Sequence, residues 1–147
     1  MIPLNPWEHQ NAIKALYSKC VAGVCTKHGI TRMELDILLF LVNNPCYDTA
    51  TDMIETRFVS KSQVSVSIKL LEKRGYLRKE YVKDNRKTAH LKVCRGAFPV
   101  IEDGRKAQEN FISIMLQGFG QEEIEHLKQY FERMWGNINI HLKEEEE

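Results

Sequence analysis

The side chains of residues 57–95 have the chemistry needed to bind a polyanion. This segment contains twelve lysines and arginines but only three acidic residues, an excess of nine positive charges, although the whole chain has a formal net charge of +1. A solvated surface normally interleaves the two signs of charge, and a block of one sign is costly without a partner. The uneven division predicts a surface that follows phosphates, with acidic faces elsewhere on the molecule.

A helix predicted at residues 60–74 carries side chains that could reach bases. Val64, Ile68 and Leu71 lie within about 60° of one another around a helix, so we expect them to face the core. The opposite side is then small, hydroxylic or cationic, as a helix in a DNA major groove requires. The candidate DNA contacts on this helix are Lys61, Ser62, Gln63, Ser65, Val66, Lys69 and Lys73.

Individual roles follow from the chemistry of each side chain. Gln63 could bind adenine through its amide, or it could use that amide to complete a capping box with Ser60. Val66 has no hydrogen-bonding group, so a thymine methyl is its expected partner. Lys73 and Lys79 lie beyond the N-terminal half of the helix, and we expect them to contact phosphates.

A basic β-hairpin is predicted directly after this helix. Residues 76–82 and 88–93 are rich in β-forming side chains, and the polar residues 83–87 between them predict a turn. The hairpin adds Lys83, Arg86 and Lys87 to the positive surface.

The remaining elements must hold this helix and hairpin in place. Helical spacing of apolar residues predicts a first helix over residues 7–28, ended by Gly29. Thr31 and Glu34 form a capping-box pattern that opens a second helix over residues 32–42. A short third helix, capped by Asp48 or Thr49, ends near residue 57. Two long amphipathic helices follow the hairpin.

Residues 31–95 resemble the MarR (multiple antibiotic resistance regulator) family. The resemblance rests on the core run Leu38-Leu39-x-Leu41, on the Leu-Glu-Lys-Arg-Gly-Tyr-Leu run at 71–77, and on Asp84-x-Arg86. It implies a mainly α fold with a small β-hairpin wing, a winged helix-turn-helix flanked by long N- and C-terminal dimerisation helices. It also implies that Arg86 enters the minor groove and that Asp84 orients it. Residues 94–99, between the second wing strand and the next helix, depart from the family pattern.

Together these patterns predict a single domain, 1–147, that works as a homodimer on double-stranded DNA. Residues 31–95 would be the DNA-binding core, and residues 1–29 and 97–143 a helical dimerisation region with surplus apolar faces. A twofold dimer would read a pseudo-palindromic operator. The resemblance implies a transcription regulator, by default a repressor released by a small effector, with no cofactor.

Other functions have weaker support in the sequence. No phosphate loop or hydrolase motif indicates an enzyme, and the scattered histidines lack zinc-site spacing to any cysteine. Two alternatives stay open, a thiol-based redox sensor using Cys20 or Cys25 and a winged helix that binds only proteins. The four cysteines lie in predicted helices or strands with no signal peptide before them, and no apolar run is long enough to span a membrane, so we expect a soluble cytoplasmic protein.

Overall fold

The computed structural model describes residues 4–57 and 59–144 and is mainly helical, with one small sheet. Its elements, in chain order, are α1 (Gln10–His28), α2 (Arg32–Asn43), α3 (Ala50–Arg57), α4 (Lys61–Lys73), β1 (Leu77–Val82), β2 (Asn85–Val93), a 3₁₀ turn (Arg95–Ala97), α5 (Phe98–Met115) and α6 (Gln121–Glu144). This order confirms the predicted fold class. The first helix begins at Gln10 rather than at residue 7, and its N-cap residue, His9, makes no capping side-chain bond.

Helix α2 is the central element of the core. Its start has the predicted capping box, in which Thr31 Oγ1 accepts from the Glu34 N–H and Glu34 Oε1 accepts from the Thr31 N–H, each at 3.1 Å. Gly29 ends α1 with φ of 63°, a left-handed conformation that glycine adopts without strain. The connection between α1 and α2 is therefore only three residues long.

A single cluster of buried side chains joins α1–α5 and both strands. Val21 and Val24 come from α1, and the predicted stripe of α4 is buried as expected. The remaining members are Ile30, Leu35, Ile37, Leu38, Leu39, Phe40, Leu41, Met53, Leu77, Leu91, Ala97, Val100 and Ile101, together with Val64, Ile68 and Leu71 of the stripe. This cluster fixes α4 and the hairpin on one scaffold.

Residues 94–99, which depart from the pattern of the MarR family, include a short 3₁₀ turn before α5. The 3₁₀ turn leads directly into α5, and its last residue, Ala97, is fully buried. Further along α5, Gly104 lies against α2, where a Cβ on the glycine would come within 3.0 Å of the Leu39 side chain and 3.2 Å of the Leu35 side chain. Glycine thus permits close packing of α5 on α2.

The chain forms two compact units, Met1–Phe111 and Ile112–Glu147. The first contains the helix-turn-helix and the hairpin. The second contains the end of α5 and all of α6, a 24-residue helix in which no residue is buried. The expectation of a single domain stays a prediction. In the residues that the structure describes, no helix is both long and apolar enough to cross a membrane.

Candidate nucleic-acid interface

Helix α4 presents one polar face away from the core. Its N-cap residue Ser60 accepts from the Gln63 N–H at 3.5 Å, and Ser60 and Ser62 share a 2.8 Å bond between hydroxyls. Every predicted contact residue of α4 is exposed, including Val66, whose exposed fraction is 59%. The exposed set is Lys61, Ser62, Gln63, Ser65, Val66, Lys69 and Lys73.

Of the two roles left open for the Gln63 amide, the capping box at the start of α4 is only half formed. Within residues 4–57 and 59–144, the side chain of Gln63 makes no bond back to the Ser60 N–H. The helix start is instead stabilised by the Ser60 hydroxyl alone. The amide of Gln63 is therefore left exposed on the outward face.

Arg74 belongs to the scaffold rather than to the outward face. Its Nε donates to Oε2 of Glu34 at 2.7 Å, and its Nη2 donates to the Gly29 carbonyl at 2.9 Å. The side chain of Glu34 is fully buried and also completes the α2 capping box. Arg74 thereby links the C-terminal end of α4 to the N-terminal end of α2.

The hairpin turn is tighter than predicted. Val82 pairs with Asn85, so only Lys83 and Asp84 form the turn, and the predicted turn over residues 83–87 is wrong. Asp84 has φ of 70°, a conformation that aspartate tolerates better than most residues. Lys83 and Asp84 are exposed at the tip, while Arg86 and Lys87 are exposed on the first residues of β2.

Arg86, near the tip of the wing, has no aspartate partner among the described residues. Across the described part of the chain, Asp84 and Arg86 form no ion pair, although both line a concave surface on the wing together with Tyr81, Val82 and Lys83. The contact by which Asp84 would orient Arg86, as the resemblance implies, is therefore not formed in the free chain. Arg86 is free to extend toward a ligand.

Asp48, in the loop before α3, holds the base of the wing. Its Oδ1 lies 2.7 Å from His90 Nδ1, its Oδ2 accepts from Lys92 Nζ at 3.3 Å, and its backbone carbonyl accepts from the Leu91 N–H at 2.8 Å. Burial raises the pKa of the Asp48 carboxyl, but the bonds from His90 and Lys92 outweigh burial and hold that pKa below its ordinary value. Three consecutive residues of β2 are thus bound to one residue outside the hairpin.

The positive block divides into paired and unpaired cations. Among the residues that the structure describes, four of the twelve basic residues form ion pairs, namely Arg74 with Glu34, Arg78 with Glu80, Lys79 with Glu72, and Lys92 with Asp48. Lys79 was expected to contact phosphates, but its Nζ lies 3.2 Å from Oε1 of Glu72. Among the described residues, no ion pair involves any of the predicted DNA-contacting cations, which are Lys61, Lys69, Lys73, Lys83, Arg86 and Lys87.

The four cysteines are free thiols; Cys46 is exposed, and Cys20, Cys25 and Cys94 are partly buried. Burial raises the pKa of the Cys25 thiol above its ordinary value, which disfavours the reactive thiolate that a redox sensor would need. Within the described ranges, no group of three or more histidine, cysteine or acidic side chains is placed to hold a metal ion.

Residues 28–87 match the model of the MarR family. This segment spans α2, α3, α4 and most of the wing. Its winged helix is that of the MarR family. No curated protein is similar enough to this chain to count as a relative.

Solved structures of MarR-family proteins share the whole fold at low sequence identity. A MarR family transcriptional regulator from Listeria monocytogenes, solved with a 26-mer DNA, is 19% identical, with a TM-score of 0.75 over 92% of this chain and 89% of that one. The crystal structure of MarR is 16% identical, with a TM-score of 0.77 over 98% and 97% of the two chains. A MarR family regulator from Silicibacter pomeroyi is 18% identical, with a TM-score of 0.73 over 87% and 86%. The likeness therefore extends beyond the winged helix to the flanking helices.

Proposed function

We propose that this protein is a sequence-specific, DNA-binding transcription regulator. The observation that carries the proposal is the division of the basic block. Cations on the wing strands near acidic residues are paired within the protein, whereas the predicted contacts on α4 and the cations at the tip of the wing, Lys83, Arg86 and Lys87, are exposed and have no ion pair among the described residues. Unpaired lysine and arginine side chains gain most from phosphates because each contact releases condensed counterions.

The wing and α4 have complementary tasks in this proposal. The first half of α4 enters the major groove, where Ser62, Gln63 and Val66 reach base edges. Arg86 enters the adjacent minor groove, where a narrow A·T-rich segment attracts a cation without any base-specific bond. Lys61, Lys69, Lys73, Lys83 and Lys87 contact phosphates and set the register, while Ser65 and Asp84 complete the contact surface. The Listeria relative, whose structure contains DNA, supports a nucleic-acid partner for this fold.

The proposed working form is a homodimer. On α6, the apolar residues Leu127, Phe131, Met134, Ile138 and Leu142 recur at spacings of three and four, and none of them is buried within the chain. A stripe of this length is costly in water, and a second copy of the same stripe would cover it by twofold symmetry. Two copies would place two α4 helices on half-sites about one turn of DNA apart.

The regulatory output belongs to the same proposal. A dimer on a pseudo-palindromic operator would repress by occupying promoter DNA, and a small effector would release it. A reporter gene placed behind the DNA sequence that the protein prefers, measured with and without this protein, shows whether the protein represses or activates transcription.

Selection from random duplex DNA tests the proposal as a whole. The full-length protein should enrich a pseudo-palindrome, and log affinity for that sequence should fall linearly as log salt concentration rises. Sedimentation at micromolar concentration should give the mass of two chains. A monomeric protein that enriches no sequence would contradict the proposal.

A further inference from the structure

Besides the ion pair of Lys79 with Glu72 on α4, the wing meets the rest of the winged helix at a small set of polar contacts centred on Asp48. The carboxylate of Asp48 binds His90 and Lys92, which flank the buried Leu91 on β2, and its backbone carbonyl binds the Leu91 N–H. The side chains of Asp48, His90 and Lys92 are only 22%, 29% and 42% exposed. These contacts act on both the backbone and the side chains of the strand, so they restrict its rotation as well as its position.

Arg86 lies on the same strand, four residues toward the tip. At about 3.3 Å per residue it is roughly 13 Å from His90, so a rotation of about 10° at the base would displace it by roughly 2 Å. The minor groove is only about 6 Å wide, so a displacement of that size changes how the Arg86 side chain enters it. Since Asp84 does not orient Arg86 in the free chain, the base of the hairpin is what sets the direction of the wing.

We propose that Asp48 is a positioning residue for DNA binding, which aims Arg86 by fixing residues 90–92 of the wing against the loop before α3. The role rests on the proposed function, because it needs Arg86 to contact DNA. Asp48 itself touches no DNA. Because its carboxylate already holds the wing in place, the wing loses less conformational entropy when DNA binds. This strengthens binding only through side chains of the wing that contact DNA.

The chain contains a matched control for this proposal. Asp103 on α5 makes the same pair of contacts, since its Oδ2 lies 2.8 Å from Lys27 Nζ and 2.7 Å from His28 Nε2. Those contacts join α5 to the end of α1 and involve no residue of the wing. Loss of Asp103 should therefore reproduce the loss of an aspartate bound to a lysine and a histidine, without changing the direction of Arg86.

A double-mutant cycle on the selected DNA site tests the proposal. Asp48→Ala should weaken binding by about three- to tenfold in the parent protein but by less than about twofold when Arg86 is already replaced by alanine, because coupled residues are not additive. Asp48→Asn, which keeps one acceptor but loses the charge, should give an intermediate loss. Asp103→Ala should change affinity by the same factor in the parent and in the Arg86→Ala variant. Thermal melts establish that each variant is folded at the temperature of the assay.

Each result either supports the proposal or overturns it. If Asp48→Ala costs the same factor in both backgrounds, or costs nothing in the parent, the positioning role is wrong and the proposed function stands. If Arg86→Ala binds the selected site as tightly as the parent, the minor-groove role of the wing is wrong, and the role of Asp48 falls with it. Should Asp103→Ala couple to Arg86 as strongly as Asp48→Ala does, the effect is general loosening of the fold rather than aiming of the wing.

Discussion

Arg74 Nε donates to Glu34 Oε2 at 2.7 Å, across forty residues of sequence, and Glu34 is completely buried. Removing Arg74 would leave a buried carboxylate without its cation. We expect Arg74→Met to lower the free energy of unfolding by about 3 kcal/mol, measured by urea denaturation. The control is Arg78→Met, because Arg78 pairs with Glu80 on the exposed face of β1, and its loss should cost less than about 1 kcal/mol. Equal losses for the two variants would contradict the structural role of Arg74.

Asp103 should make the stability of the protein depend on acid pH. Hydrogen bonds from Lys27 and His28 lower the pKa of its carboxyl from 3.8 to about 2. The fold therefore favours the ionised form, so its contribution is complete above the ordinary pKa and is lost as the pH falls toward 2. The melting temperature of Asp103→Asn should lie below that of the parent at pH 6, and the difference should shrink between pH 4 and pH 2. A difference that stays constant over that range would show that ionisation of Asp103 plays no part.

Gly104 and Gly23 provide a matched pair of helical glycines. A Cβ at Gly104 would press on Leu39 and Leu35, both buried, whereas a Cβ at Gly23 of α1 would meet nothing within 4 Å. Gly23→Ala should stabilise the protein by about 0.5–1 kcal/mol through helix propensity. Gly104→Val should destabilise it by about 1–3 kcal/mol, since a packed core resists added volume. The free energy of unfolding by urea measures both, and stabilisation by Gly104→Val would disprove the close approach of α5 to α2.

Local signals in the sequence were sufficient for the helices and for the outward face of α4. Thr31 and Glu34 are three residues apart, and the stripe of Val64, Ile68 and Leu71 follows helical spacing, so neighbouring residues alone identify both features. The same signals could not separate bound cations from free ones. Arg74 depends on Glu34 in another helix, and charge counting placed both Arg74 and Lys79 in the phosphate-binding block.

The length of the turn in the wing could not be predicted from the sequence, for a different reason. Residues 83–87 are uniformly polar, and composition does not show where pairing between strands resumes. The structure places the reversal at Lys83 and Asp84 because Asp84 adopts a positive φ, which a side-chain pattern does not reveal. The contacts of Asp48 with the wing were missed for the same reason as Arg74, since they join residues more than forty positions apart.

Lys73 and Lys79 should differ in their effect on DNA binding. Both lie in the basic block, but Lys73 is exposed, with no ion pair among the described residues, while Lys79 pairs with Glu72 at 3.2 Å. Lys73→Ala should weaken specific and non-specific DNA binding alike and lower the slope of log affinity against log salt by about 1. Lys79→Ala should change that slope by much less, because its charge is already neutralised. Affinities from fluorescence anisotropy at several salt concentrations measure the slope for each variant. If both variants lower the slope equally, Lys79 leaves Glu72 and binds phosphate in the complex.

The outward face of α4 should read the base sequence of DNA, and Val66 lies on that face. Its side chain is 59% exposed and apolar, so it contributes to DNA binding only through contact with a base such as thymine. The measurement is the affinity of Val66→Ser for the selected site and for unrelated duplex DNA, over a range of salt concentrations. We expect a loss of about 1 kcal/mol on the selected site alone, with the salt slope unchanged. If Val66→Ser binds both DNAs as the parent does and selects the same sequence, the outward face of α4 does not read DNA, and the proposed mode of DNA binding is wrong.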